Sequence, residues 1–224
     1  MRPRRSLHVV FALLLALAAV AAVPAADARA PPTPVCGVCS FDTTVDGTDV
    51  AADESELTVR IHANGSTTWI ATVELARGAA SMAENDSFRR AVVDEAMGWS
   101  VAEPEAVRSS VDDGTLTVRY RDDEAAERHV GAVVFTPLTP EGPNALFASG
   151  GEGPRYLGTD RFTLRAPAGY DLHGGGETGD AGELVWTRAD GTERTSLDVS
   201  DDPVAVDADS AAPGIRTWFA RLLS

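Results

Sequence analysis

Glu56 to Leu75 reads ELTVRIHANGSTTWIATVEL, and the fold of the chain turns on it. Leu57, Val59 and Ile61 alternate with Thr58, Arg60 and His62. Trp69, Ala71, Val73 and Leu75 alternate with Thr68, Ile70, Thr72 and Glu74. An apolar residue at every second position is the period of a strand with one buried face, and Asn64-Gly65 between the two runs supplies a turn. The length of that turn decides which residues meet. A two-residue turn would put Ile61 opposite Thr68 and split the apolar residues between two faces. A three-residue loop, Ala63-Asn64-Gly65 with Gly65 left-handed, brings Val59 opposite Trp69 and Leu57 opposite Ala71 on one face. The sequence therefore predicts the three-residue loop.

Downstream, Phe88, Val92, Ala96 and Trp99 recur at helical spacing within Ala83 to Gly98, with Asn85 or Asp86 to cap and Gly98 to terminate. This predicts one amphipathic helix lying over the face that bears Val59 and Trp69. Ala106 to Val111 and Thr115 to Arg121 form a second hairpin across Asp113-Gly114. There a two-residue type I′ turn pairs Val111 with Leu116 and Val107 with Tyr120. Asp122 to Arg128 reads as a helical turn before a strand from Val130 to Thr136. Prolines and glycines from Pro137 to Pro154 mark a long connection. Strands follow at Asp160 to Ala166, Gly182 to Thr187 and Thr192 to Val199, the last two paired across Asp190-Gly191 with Leu184 opposite Leu197. The expected fold is α+β and β-rich. Antiparallel sheets are built from hairpins, one amphipathic helix packs on the first sheet, and the second half is β only.

At the other end, Arg2, Arg4 and Arg5 precede an uncharged run from Ser6 to Ala26, and Ala26-Asp27-Ala28 offers a small-x-small cleavage site. Residues 1–28 therefore read as a secretory signal, with a retained anchor as the rival reading because the run approaches the roughly 20 residues that cross a bilayer. Arg4-Arg5 also resembles a twin-arginine signal, which leaves the export route open. Residues 29–52, rich in Pro, Ala, Thr and Asp, read as an extended leader carrying Cys36 and Cys39. The remaining units are an α+β domain over 53–140, a Gly/Pro-rich connection over 141–159, a β subdomain over 160–207 and a tail over 208–224.

The chain holds 19 arginines and 34 acids, with no lysine and no glutamine. Loss of residues 1–28 would leave 16 arginines against 33 acids, a net charge of −17. Such a charge opposes binding to nucleic acid and to anionic lipid. With 44% hydrophobic residues and frequent strand patterns, disorder is not the consequence; the surface is acidic. The composition resembles that of exported proteins of halophilic archaea, and the fold is expected to tighten in molar salt as self-repulsion is screened. CGVC after the signal, ELTVRIHANGSTTWIATVEL, DGTLTVRYRD and GTDRFTLRAPAGYDL, in that order, resemble an uncharacterised family of haloarchaeal secreted or membrane-anchored proteins. Members of that family often end in a transmembrane helix, whereas this sequence reads to Ser224 without one, and the resemblance implies no activity.

Residues able to carry chemistry are few. Cys36 and Cys39, spaced CxxC, suit a local disulfide, a zinc half-site or a redox pair. The leader around them lacks apolar periodicity, so breaking a disulfide there is expected to leave the domain's stability almost unchanged. Gly174, Gly176 and Gly179 satisfy GxGxxG, but a strand follows rather than a helix, so a flexible loop is expected instead of a nucleotide site. His62, His129 and His173 stand apart. Asp112-Asp113, Asp122-Asp123 and Asp201-Asp202 read as acidic surface rather than calcium loops. Asn64 and Asn85 open glycosylation sequons, though each also suits a local structural role, in the turn and in the helix cap. No metal or cofactor is expected.

In the tail, Ile215, Trp218, Phe219, Leu222 and Leu223 fall on one stripe of a short helix, opposite Arg216, Thr217, Ala220 and Arg221. That stripe is expected to dock on the protein's own sheet, on a membrane surface or on an envelope partner. The functional expectation is a non-catalytic exported cell-surface or envelope module used for binding or assembly. An extracellular hydrolase with a glycosidase-like carboxylate pair is the alternative.

Overall fold

The computed structural model describes residues 31–129, 131–139, 155–179, 182–188, 203–207 and 213–223. The long hairpin is its centre. Strand β3 (Thr48–Ile61) and strand β4 (Thr67–Arg77) pair with Val59 opposite Trp69 and Leu57 opposite Ala71. The amide of His62 donates to the Ser66 carbonyl (2.9 Å) and that of Gly65 to the His62 carbonyl (2.9 Å), closing the three-residue loop. Gly65 takes φ +90°, which a side chain would resist, so the glycine sets the loop length and through it the register.

The second hairpin joins β5 (Glu105–Asp112) to β6 (Thr115–Asp122), with Val111 opposite Leu116 and positive φ at both Asp113 and Gly114. Strand β6 lies beside β4, and Tyr120 falls opposite Trp69. Further along β5 the pairing slips between Glu105 and Arg108, so the simple pairing of Val107 with Tyr120 gives way to a bulge.

Before the hairpin, residues 33–52 are not an extended leader. Strand β1 (Thr33–Pro34) is followed by a 3-10 turn (Gly37–Cys39) and by β2 (Asp42–Val45), which pairs with the start of β3 across Asp46-Gly47. Both turn residues have positive φ, as in the Asp113-Gly114 turn. Val35, Cys36, Val38 and Cys39 are buried in the same core cluster as Trp69.

Two helices occupy the segment read as one, α1 (Ala79–Glu84) and α2 (Asp86–Met97). Asn85 ends the first and caps the second, its side chain accepting from the amides of Ser87 and Phe88 at 3.0 Å. Phe88, Val92, Val93, Ala96 and Met97 are buried, whereas Trp99 lies past the end of the helix and is 71% exposed. Replacing Asn85 by alanine is expected to cost about 1 kcal/mol. Differential scanning calorimetry should show the midpoint falling by roughly 2–4 °C.

The described residues beyond β6 join the same large sheet and a second sheet packed on it rather than a separate subdomain. Asp122 closes a turn rather than a helix, and strand β7 (Ala126–His129) leads to β8 (Ala132–Phe135). Part of the expected connection is structured, since β9 (Arg155–Tyr156) runs parallel to β1. Strand β10 (Arg161–Arg165) inserts beside β3 in a parallel pair, with Phe162 next to Leu57 and Leu164 next to Val59. Strands β11 (Tyr170–His173), β12 (Glu177–Thr178) and β13 (Glu183–Thr187) follow. Leu184 pairs with Leu164 and Trp186 with Phe162; residues 192–199, the expected partner strand, lie outside the described residues.

The large sheet thus runs β12-β13-β10-β3-β4-β6-β5, with β2 also on β3. A second, antiparallel sheet runs β11-β14-β8-β7, where β14 is Val204–Asp207. Phe135 of this sheet meets Trp69 and Phe162 of the first at ring-centroid distances of 5.8 and 6.4 Å. Its opposite face, with Ala132, Val134, Val204 and Val206, meets Ala220 of α3 (Pro213–Leu223). The large sheet is therefore covered on one face by the second sheet, by α2 and by the cysteine turn. Its other face carries the strand positions that alternate outward.

A candidate anion-binding face on the open sheet

Because side chains alternate along a strand, burying Leu57, Val59 and Ile61 turns Glu56, Thr58 and Arg60 outward, and burying Val118 and Tyr120 does the same to Arg119 and Arg121. Register then gathers residues distant in sequence. Arg165, Arg60, Thr68 and Arg121 form one row across β10, β3, β4 and β6; Thr163, Thr58, Ile70, Arg119 and Arg108 form the next, ending on β5. Neighbouring strands lie about 4.8 Å apart, so five guanidinium-bearing residues share two adjacent rows.

Their charges are unevenly compensated. Arg121 pairs with Asp123 at 3.0 Å and Arg165 with Glu183 at 2.8 Å. Among the described residues, Arg60, Arg108 and Arg119 have no acidic partner within 4 Å. Like charges on adjacent exposed positions repel by about 1 kcal/mol or less per pair in water, which the fold tolerates and an arriving anion reverses.

His62 stands at the end of this face, its Nε2 2.8 Å from the Thr68 hydroxyl. Desolvation holds its imidazole below the ordinary value of 6.5, and Arg121, Arg60 and Arg119 add to the shift in that order. Glu105, opposite Arg121, and Asp123 are the nearby acids of the same edge. Since the folded-state value lies below the unfolded one, any stability tied to neutral His62 is present above about pH 6.5. It is lost as pH falls from there through the folded value.

Between the end of the hairpin and the β5 bulge lies a hollow of about 360 Å³ lined by His62, Thr68, Ala106, Arg108, Arg119, Tyr120 and Arg121. Ala106 takes φ +51° in the bulge, a left-handed conformation that costs a non-glycine residue energy. The Tyr120 ring faces the other way, stacked on Trp69 at 5.5 Å in the core, where burial pushes its phenol far above the ordinary range. The hollow is walled mostly by carbon, with the cationic groups around it.

Acid-lined hollows lie elsewhere. One of about 460 Å³ is bordered by Asp46, Glu84 and Asn85, and another of about 600 Å³ by Asp94, Glu103 and Glu105. Among the described residues no three His, Cys, Asp or Glu side chains converge as a metal site. Asp122, read as acidic surface, is buried. Its carboxylate accepts from the amides of Glu103, Glu124 and Ala125 at 2.9 Å each, while Asp112 and Asp113 are exposed in the β5–β6 hairpin. Asp201-Asp202 lies outside the described residues.

The other singled-out residues are dispersed. Cys36 and Cys39 form a disulfide, buried under α2 rather than exposed on a leader. Its turn includes Gly37, where a Cβ would lie 2.3 Å from the Ala96 carbonyl oxygen, so the helix end can sit this close only to glycine. Asn64 and Asn85 are both exposed; Asn64 accepts from the Ser66 amide and hydroxyl at 3.1 and 2.9 Å. His129 pairs with Glu127 at 2.8 Å, and His173 lies in β11 on the second sheet. Gly174 and Gly176 press against Leu184 and Trp186 ahead of β12 and β13.

The tail helix docks, but by the face opposite the one expected. Thr217 and Ala220 are buried, with Ala220 against the second sheet, while Ile215, Trp218, Phe219 and Leu222 are exposed, Trp218 to 60%. Short side chains let the helix approach the sheet closely, and the bulky stripe is left outward, with Trp218 and Phe219 edge to face at 4.9 Å. The Leu223 side chain lies outside the described residues. No helix among the described residues is long and apolar enough to cross a membrane.

The arginine face went unread in the sequence although its signal was there. Arg60, Arg119 and Arg121 sit at outward positions of strands whose turns fixed the register. No family model, no curated protein and no solved structure matches this chain.

Proposed function

We propose that this chain is an exported, non-catalytic binding module of the cell surface or envelope, and that the open sheet face captures an acidic ligand. One observation carries the reading: a chain of net charge −15 gathers Arg60, Arg108, Arg119, Arg121 and Arg165 on one solvent-facing patch of its most extensively paired sheet. Acidic residues over the rest of the surface repel anions, so this patch is where an anion is attracted. Guanidinium groups hold oxyanions through paired N–H donors, which survives salt better than long-range steering does. The uncharged run after Arg5 supports export, and the lysine-free acidic composition supports a saline medium.

Fluorescence anisotropy with labelled poly-L-glutamate, at a salt concentration where the fold is intact, tests this. Binding is expected for the wild type and at least a tenfold loss for the triple variant Arg60→Gln, Arg119→Gln, Arg121→Gln with an unchanged thermal midpoint. Equal binding by the two proteins, or none by the wild type, would refute the reading.

The exposed stripe of α3 supports attachment of the module to a membrane surface, since Ile215, Trp218, Phe219 and Leu222 offer an apolar face beside Arg216. The competing hydrolase reading has its foothold in the hollow at Asp94, Glu103 and Glu105. Glycoside cleavage by the wild type that disappears in Glu103→Gln would replace the module by an enzyme.

A further inference from the structure

We infer that the hollow between the β5 bulge and His62 is a subsite for a single oxyanion group carried on an apolar body, the chemistry of an aryl or alkyl carboxylate or of such a group ending a larger ligand. The inference rests on the anion-binding reading and makes it specific. A bare inorganic anion needs only charge, and the exposed arginine rows would serve it anywhere along their length. The hollow offers more. Its volume of about 360 Å³ is at the small end of ligand cavities, and its walls are mostly carbon. Arg108 and Arg119 are cross-strand neighbours lining it, with no acidic partner among the described residues, so their planar forks are available to a planar carboxylate. His62 and Thr68 close the opposite side through their own hydrogen bond.

The bulge supplies an independent sign of a built site. Edge strand β5 slips register at Ala106 and Val107, and Ala106 is held at φ +51° although glycine would adopt that conformation freely. Ala106 itself lines the hollow. Strained backbone of this kind clusters at ligand sites, and here it lies beside Arg108 and Arg119.

The test uses the full chain in two-dimensional NMR titrations with benzoate, its neutral isostere benzamide, and sodium sulfate at matched ionic strength, following the amides of residues 106–108 and 119–121. Saturable shifts with benzoate, none with benzamide, and at least tenfold weaker binding of sulfate are expected. Arg108→Gln and Arg119→Gln should each weaken benzoate at least tenfold. Sulfate binding as tightly as benzoate would overturn the apolar-body inference while leaving the anion-binding face in place. Shifts with neither anion would overturn both. Benzoate binding undiminished in the two variants would place the site elsewhere and overturn the assignment.

Discussion

Replacing Trp69 by alanine is expected to cost about 3–5 kcal/mol, among the largest effects of any single substitution in this chain. Trp69 is fully buried at the crossing of the two sheets. Its ring stacks on Tyr120 and leans on Phe135, which in turn reaches Phe162 and, through it, Trp186 at 5.0 Å. The indole Nε1 donates to the Thr67 hydroxyl at 2.8 Å, and that hydroxyl donates to the Asp122 carbonyl at 2.8 Å. Alanine would remove the ring from the middle of an aromatic row and leave a cavity that strands from two sheets cannot both close. For a domain of this size each kcal/mol moves the midpoint by about 2–4 °C, so a drop of roughly 6–20 °C is expected in a thermal melt. Trp69→Phe, which keeps most of the stack, should fall well short of that. A drop under about 3 °C for the alanine variant would mean that Trp69 does not join the sheets.

Removal of the disulfide by Cys36→Ser together with Cys39→Ser comes second, at about 2–4 kcal/mol and roughly 4–16 °C. The closed loop is short, so chain entropy supplies only about 2 kcal/mol. Position supplies the rest. Both cysteines are buried among residues packed on β3, β4 and the end of α2, where a serine hydroxyl would need a partner. The sequence-based expectation was the reverse, a disulfide remote from any core. A double variant that melts within about 2 °C of the wild type would restore that expectation.

Local pattern specifies the region around Trp69, whereas the region around the disulfide depends on tertiary contact. Around Trp69 alternation is strict, and Gly65 and Asp113-Gly114 fix the turns, so register follows from sequence alone. Residues 33–52 contain another Asp-Gly turn, Asp46-Gly47, which does join β2 to β3. Its flanks, FDTTV and TDVAA, alternate too weakly to reveal it. Their burial comes from tertiary contact with α2 and the sheet, which no local pattern reports. The parallel placement of β10 beside β3 is likewise nonlocal, held by Asp160, whose carboxylate accepts from the Ser55 amide at 2.8 Å and pairs with Arg188. For the tail, periodicity located the helix and its stripe. It could not say that Ala220 and Thr217, rather than the bulky residues, would meet the sheet. The arginine face was legible in principle, because the predicted register already set Arg60 and Arg121 outward. Net charge alone hides it, because the acidic total says nothing of which face each arginine takes.

The most direct test of an anion-attracting arginine face is the titration of His62 by NMR in the full chain, without and with sulfate at constant ionic strength. Arg121, Arg60 and Arg119 stand around this imidazole, and desolvation acts in the same direction. It should therefore titrate below 6.5 in the free protein. An anion held among those arginines favours the protonated ring, so sulfate should move the value upward. A His62 that titrates at or above 6.5 and ignores sulfate would show that the arginines are already neutralised and that the face binds no anion.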